Sequence, residues 1–154
     1  MNDKKLGTGR LLLVDDDPLV RRAIGRFLSK VYDFVDVASA GEAEAELDGQ
    51  CFDLILLDIE LSPGVTDGLD CLRWLPDTGH RGAVCMLTGH LSPELLHEAL
   101  LLGADDYLVK LGDYKLKDEI ERLVELGRLP REERPRYETI ADPGLLRSLR
   151  LNAD

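Results

Sequence analysis

Five short apolar runs recur along this chain, each followed by a stretch with helix-like spacing, and that alternation limits the fold more than any other feature. The runs are Leu11 to Val14, Phe34 to Ala38, Asp53 to Leu57, Ala83 to Leu87 and Tyr107 to Val109. Strands this apolar are buried on both faces, and strands alternating with helices pair in parallel. The pattern therefore predicts a parallel sheet covered by helices on both sides. Two helix starts are marked locally, because Asp17 before Pro18 and Ser92 before Pro93 each place an N-cap residue ahead of proline at the first helical position. Leu116, Ile120, Leu123 and Val124 fall on one helical face, with Lys117, Asp118, Glu121 and Arg122 elsewhere, which predicts an amphipathic helix after the fifth strand.

At 154 residues the chain is long enough for one domain and too short for two ordinary ones. Five strands and five helices suit an α/β, flavodoxin-like sheet of order 2-1-3-4-5, a known arrangement for that count. The domain is read as residues 1–127, with a C-terminal extension over 128–154. In the extension, Pro130 and Pro135 lie among arginines and glutamates, and Asp142 precedes the apolar stretch PGLLRSLRL. This reads as a linker ending in a short capped helix. A helix of under about 12 residues is marginal alone, so Leu145, Leu146 and Leu149 need a surface, and the chain's own domain is the first expectation. The tail is too short for a DNA-binding output domain, so for a chain complete at this length output by contact with another protein is expected.

Charge and cysteine usage narrow the classes further. Asp and Glu total 30 against 19 Lys and Arg, a formal net charge of -11. That balance repels nucleic acid phosphates and argues against direct nucleic-acid binding. No run approaches the roughly 18 apolar residues of a membrane span, and MNDKKLGTGR has no signal-peptide core, so no membrane association and a cytoplasmic location are expected. Cys51, Cys71 and Cys85 are odd in number and form no CxxC pair, which predicts reduced, mostly buried thiols. His80, His90 and His97 lack metal-ligand spacing, and the glycines form neither GxGxxG nor a P-loop.

In a parallel α/β sheet, ligands bind outside the carboxyl ends of the strands, so the residues ending each run carry the information. They are polar: Asp15, Asp16 and Asp17 after the first run, Asp58 after the third, Thr88 after the fourth, Lys110 after the fifth. Any one aspartate there reads equally well as a turn or cap residue. Together they make a case for phosphoryl transfer. Grouped carboxylates repel, and a hard divalent cation such as Mg²⁺ relieves the conflict. A carboxylate can then attack phosphorus while the metal and the Lys110 ammonium neutralise the phosphoryl oxygens, with the Thr88 hydroxyl holding another.

The segments LLLVDDDP, DLILLDIELSPG followed by DGL, AVCMLTGH and GADDYLVK, in that order from Leu11 to Lys110, resemble the successive motifs of response-regulator receiver domains in two-component signalling. The resemblance implies a phosphorylation-activated switch that catalyses only its own phosphorylation and dephosphorylation. By it, Asp15 and Asp16 form the acidic pocket and Asp16 is the more direct metal ligand. Asp58 accepts the phosphoryl group and is a second ligand, and the Glu60 carbonyl is a third. Thr88 and Tyr107 match the coupled hydroxyl and aromatic switch positions, although core packing explains Tyr107 equally well. Asp17 is read as the cap of the first helix. The implied partners are a histidine kinase or phosphotransfer protein as donor, a downstream protein, and a second copy in a phosphorylation-dependent homodimer.

Two departures adjoin the site. The loop from Ser62 to Thr66 is about two residues longer than the commonest receiver loop, and Leu111 with Gly112 stands where receivers usually carry a cis proline. A non-proline cis bond costs roughly 2.5 to 4 kcal/mol, which predicts a trans turn and an altered approach for Lys110. His90 and Glu60 match variable positions that influence loss of the phosphoryl group. The rival readings are a degenerate receiver acting as a phosphate-independent interaction module, and a haloacid-dehalogenase-like phosphatase, whose DxD nucleophile motif Asp15 and Asp17 mimic.

Overall fold

Residues 9–61, 67–89, 92–110 and 116–134 are described by the computed structural model. Five parallel strands make one sheet: β1 (Arg10–Val14), β2 (Asp33–Val37), β3 (Leu54–Asp58), β4 (Ala83–Thr88) and β5 (Asp106–Val109), in the order β2-β1-β3-β4-β5. Each begins within one residue of the apolar run that predicted it. Five helices accompany them: α1 (Pro18–Leu28), α2 (Ala40–Gly49), α3 (Asp67–Trp74), α4 (Pro93–Leu101) and α5 (Leu116–Arg128). The sheet is the expected flavodoxin-like one.

Strand alternation sorts side chains between two cores. Leu11, Leu13, Leu54, Leu56, Ala83, Cys85, Leu87 and Leu108 face the layer holding Leu28 of α1 and Ile120, Leu123 and Val124 of α5. Leu12, Val14, Ile55, Leu57, Val84, Met86 and Tyr107 face the opposite layer, with Leu47 of α2, Leu69 and Leu72 of α3 and Leu96 of α4. β2 is the edge beyond β1, and its charged residues are paired rather than buried: Asp33 with Arg10 at 2.9 Å and Asp36 with Arg21 at 3.2 Å. Such an edge is a poor template for a further strand.

Helix starts follow their local chemistry. Asp17 Oδ1 accepts from Leu19 N at 2.9 Å, and Ser92 caps α4. α2 starts with a variant of the capping box: Glu42 N donates to Ser39 Oγ at 3.2 Å, and Ala38 N, one residue before the cap, donates to Glu42 Oε2 at 2.9 Å. Cys71 and Cys85 are buried and Cys51 is exposed, all as free thiols. Burial beside Asp67 and Asp70 pushes the Cys71 thiol up to about 12.

Beyond α5 the packed body continues. A 3₁₀ turn over Arg131–Glu133 brings Arg134 back under the sheet, where it is buried. Its guanidinium donates to the carbonyls of Leu129 at 3.0 Å, Gly82 at 3.3 Å, Gly127 at 3.1 Å and Arg81, and lies 3.5 Å from Asp105 Oδ2. Asp105 also accepts from Val84 N at 2.9 Å. Gly127 is needed here, since a Cβ would collide with the Asp53 carbonyl, and Arg134 needs the same close approach of α5 to the strand ends. The segment PGLLRSLRL lies outside the described residues.

His80 borders this lower edge, 9% exposed. Burial, with the charges of Arg131 and Arg134, overcomes its backbone hydrogen bonding near Ala83 and pushes the imidazole down to about 4. Because the folded pKa lies below the unfolded one, the unfolded chain binds the extra proton between pH 6.5 and 4. Stability from this residue is therefore complete above pH 6.5 and falls as pH drops through that window, by up to about 3 kcal/mol. Urea unfolding across roughly pH 4 to 7 is expected to be flatter in His80→Gln than in the native chain. Parallel curves would show that the imidazole is not kept neutral by the fold.

Candidate functional site

The carboxyl ends of β1, β3, β4 and β5 meet in a cleft of about 440 Å³ lined by Asp16, Asp58, Glu60, Thr88, Gly89 and Lys110, among others. Asp15 and Asp16 follow β1 directly, and Asp58 and Thr88 are the last residues of β3 and β4. Backbone pairing carries the register into the loops. Asp15 N donates to Val37 O at 3.1 Å, Ile59 N to Leu87 O at 3.1 Å and Lys110 N to Thr88 O at 2.7 Å.

At the centre, Lys110 Nζ lies 2.9 Å from Asp58 Oδ2 and 2.7 Å from Asp15 Oδ2. Asp15 is fully buried; its Oδ1 accepts from Asp17 N at 2.9 Å and its carbonyl accepts from Arg21 Nη1 at 2.7 Å. Asp58 is 4% exposed, and its Oδ1 accepts from Glu60 N at 3.1 Å. Burial pushes the Asp58 carboxyl up to about 6; the Lys110 hydrogen bond opposes this and the Asp15 charge reinforces it. For Lys110, burial acts to lower the pKa, but hydrogen bonds to Asp15 and Asp58 outweigh it and hold the ammonium above its ordinary value. Lys110 thus reaches both carboxylates, whatever turn follows it; Leu111 and Gly112 lie outside the described residues.

Asp15, Asp16 and Asp58 each offer a carboxylate oxygen within 4.8 Å of the others. Asp15 and Asp58 are buried and Asp16 is exposed, so the group has an inner wall and an open side. One ammonium against three carboxylates leaves the cluster short of positive charge, and an all-oxygen set suits a hard divalent cation. The residues present therefore fit Mg²⁺.

The acceptor loop is held from behind. Gly68 N donates to Ile59 O at 2.8 Å, and a Cβ at Gly68 would collide with the Asp58 carbonyl oxygen. Asp67 Oδ1 accepts from Leu61 N at 2.7 Å, which joins the two ends of the loop whose residues 62–66 lie outside the described set. Sequence reasoning quoted the Asp-Gly pair without a role for either residue. The signal was a glycine just inside a helix, where only close backbone approach justifies its cost.

Thr88 and Tyr107 are both buried, at 7% and 3% exposure. Their strands are adjacent, with Thr88 opposite Val109 and Met86 opposite Tyr107. Alternation therefore puts Thr88 and Tyr107 on the same face of the sheet, towards α4. Asp17 borders the cleft, but it is exposed, caps α1 and lies outside the group of Asp15, Asp16 and Asp58, which weakens the DxD reading. Gly89 has open space where a Cβ would point, and His90 lies outside the described residues.

Comparison with known proteins agrees with this geometry. Residues 11–121 match the family model described as the response regulator receiver domain. The chain is 38% identical over 103 residues to the alginate biosynthesis transcriptional regulatory protein AlgB of Pseudomonas aeruginosa, covering 66% of this chain and 22% of that protein. It is 41% identical over 102 residues to the transcriptional regulatory protein QseB of Escherichia coli O157:H7, covering 66% and 46%. It thus spans less than half the length of these relatives. Among solved structures, a CheY-like receiver domain protein from Methanospirillum hungatei superimposes with a TM-score of 0.65 at 30% identity, covering 75% of this chain and 90% of that one. A two-component response regulator from an Aurantimonas species does so with a TM-score of 0.71 at 26% identity, covering 92% and 99%. Receiver domains are phospho-accepting switches that generally bind Mg²⁺ at an acidic cluster of this kind, and among the described residues no helix is long and apolar enough to cross a membrane. With the strand order, the cluster and the matched span in agreement, this chain belongs to the response regulator receiver domains of two-component systems.

Proposed function

We propose that this receiver is a phosphorylation-operated switch in which Asp58 takes a phosphoryl group from a histidine kinase or phosphotransfer protein and signals by protein contact. The observation that carries the reading is Asp58 itself: a nearly buried carboxylate on the cleft floor, 2.9 Å from an ammonium and within reach of two further carboxylates. An Asp58 oxygen attacks phosphorus, the bond from phosphorus to the donor histidine breaks, and its electron pair stays on the imidazole nitrogen. Lys110 balances negative charge on the transferred group, and Thr88 donates a hydrogen bond to one of its oxygens. Asp16 and Asp58, with Asp15 and the Glu60 carbonyl, would hold Mg²⁺, which when bound supplies the remaining positive charge. Water attacking the same phosphorus returns free phosphate and the carboxylate.

The hydrogen bond from Thr88 exists only in the phosphorylated state, so it can bias a two-state equilibrium. Drawn towards the phosphoryl group, Thr88 leaves space for Tyr107, and the surface of α4, β5 and α5 changes for a downstream protein or a second copy. Incubation with Mg²⁺ and acetyl phosphate, followed by mass spectrometry, is expected to find one acyl phosphate, on Asp58. A phosphoryl group on Asp15 or Asp17 would overturn the assignment.

The metal assignment has its own check. A carboxylate charge about 4 Å from a cation is worth on the order of 1 to 4 kcal/mol at the surface. Asp16→Asn is therefore expected to weaken Mg²⁺ binding roughly tenfold or more, read by calorimetric titration without phosphodonor. Undiminished affinity in that variant means the ion binds elsewhere.

A further inference from the structure

A second, apolar groove of about 490 Å³ lies between α1 and the upper end of α5, lined by Leu19, Val20, Ile24, Leu87, Leu108 and Leu116 among the described residues. Asp17 and Lys110 border it as well as the phosphoryl cleft. Leu19 at its mouth is 69% exposed. We propose that this groove holds the chain's own C-terminal segment, residues 142–151, through Leu145, Leu146 and Leu149.

Three observations favour this occupant over others. The first is the exit point, because Arg134 is tied to the carbonyls of Gly127 and Leu129 at the lower end of α5. The tail thus starts beside the helix whose other end lines the groove. The second is reach. α5 has 13 residues, so its axis is about 20 Å long, whereas the eleven residues from 135 to 145 can span about 36 to 40 Å. A tether that comfortably covers the distance gives an effective concentration on the order of millimolar, so even a weak contact is populated.

The third observation is charge. Asp17 lines the groove itself. Asp16 and Asp17 are exposed at the top. The segment from Pro143 to Leu151 carries Arg147 and Arg150 and no acid. Either arginine can meet that acidic end of the groove while Leu145, Leu146 and Leu149 fill it.

Docking requires no phosphoryl chemistry, so its test is independent of Asp58. Methyl NMR spectra of the full chain are compared with those of the Leu146→Asp, Leu149→Asp double variant. The methyls of Val20, Ile24 and Leu116 are expected to shift, and a synthetic peptide of residues 142–151 added to the double variant should restore them with a millimolar or tighter Kd. Leu19→Asp, at an exposed position that the fold tolerates, should weaken this restoration at least threefold. Unmoved groove methyls, or shifts confined to the α4–β5–α5 surface, overturn the proposal. So do native shifts that disappear on dilution, since the occupant would then be a second copy.

Discussion

Asp58→Asn is expected to abolish phosphoryl uptake from acetyl phosphate while making the folded chain more stable. The amide keeps the shape of the carboxyl but is no nucleophile. The stability gain follows from burial: the carboxyl is pushed up to about 6 by desolvation and the Asp15 charge, so at neutral pH its ionised form burdens the fold. A neutral isostere removes a cost of roughly 2 kcal/mol, and Lys110 keeps Asp15 as a partner. Thermal melting at about pH 7.5 with a phosphorylation assay reads both effects. Asp17→Asn is the control, retaining uptake and losing about 1 kcal/mol or less through weaker capping. An acyl phosphate that still forms on the Asp58→Asn variant would falsify the acceptor assignment.

Arg134→Ala is expected to cost about 3 kcal/mol or more, the range for removing one partner of a buried, hydrogen-bonded pair. The loss is large because one guanidinium serves several acceptors. The carbonyls of Arg81, Gly82, Gly127 and Leu129 lose a donor together, and Asp105, already held above its usual range by burial, loses its nearest cation. Arg134→Lys should recover only part of this, since an ammonium cannot reach acceptors spread around a planar fork. Urea unfolding with an unchanged m-value checks it. A loss below about 1 kcal/mol would mean that water replaces the guanidinium at little cost.

The same residue marks the limit of what the sequence discloses. The strands were legible because their runs are short, dominated by apolar residues and followed each time by helix-like spacing. The clustering of the candidate site was legible because its side chains end those runs, where a parallel sheet must present them. Arg134 was not legible: it sits among prolines, arginines and glutamates, reads as linker, and acquires its meaning only from carbonyls 5 to 53 positions away. Gly68 was half legible, since its place in a helix signals close packing without naming the Asp58 carbonyl as neighbour. Asp105 and Asp106 look like one acidic pair in the sequence. In the fold they separate, Asp105 to Arg134 and Asp106 to Arg122 on α5. Alternation along a strand divides them, which no count of charges predicts.

That alternation also gives the sheet a direction of traffic. Because residues two apart share a face, Val84, Met86 and Thr88 belong with Tyr107, whereas Cys85 and Leu87 belong with Leu108 and the side bearing α1 and α5. A displacement of Thr88 would thus be felt first in the core under α4, and would reach α5 only around the β5 edge. The proposed α4–β5–α5 surface would then change from its α4 side, with the core under α1 disturbed last, like a two-sided card rewritten from one face. Deleting a single residue from β4 would reverse the card, sending the hydroxyl into the α1 side and leaving Tyr107 with no message to pass on.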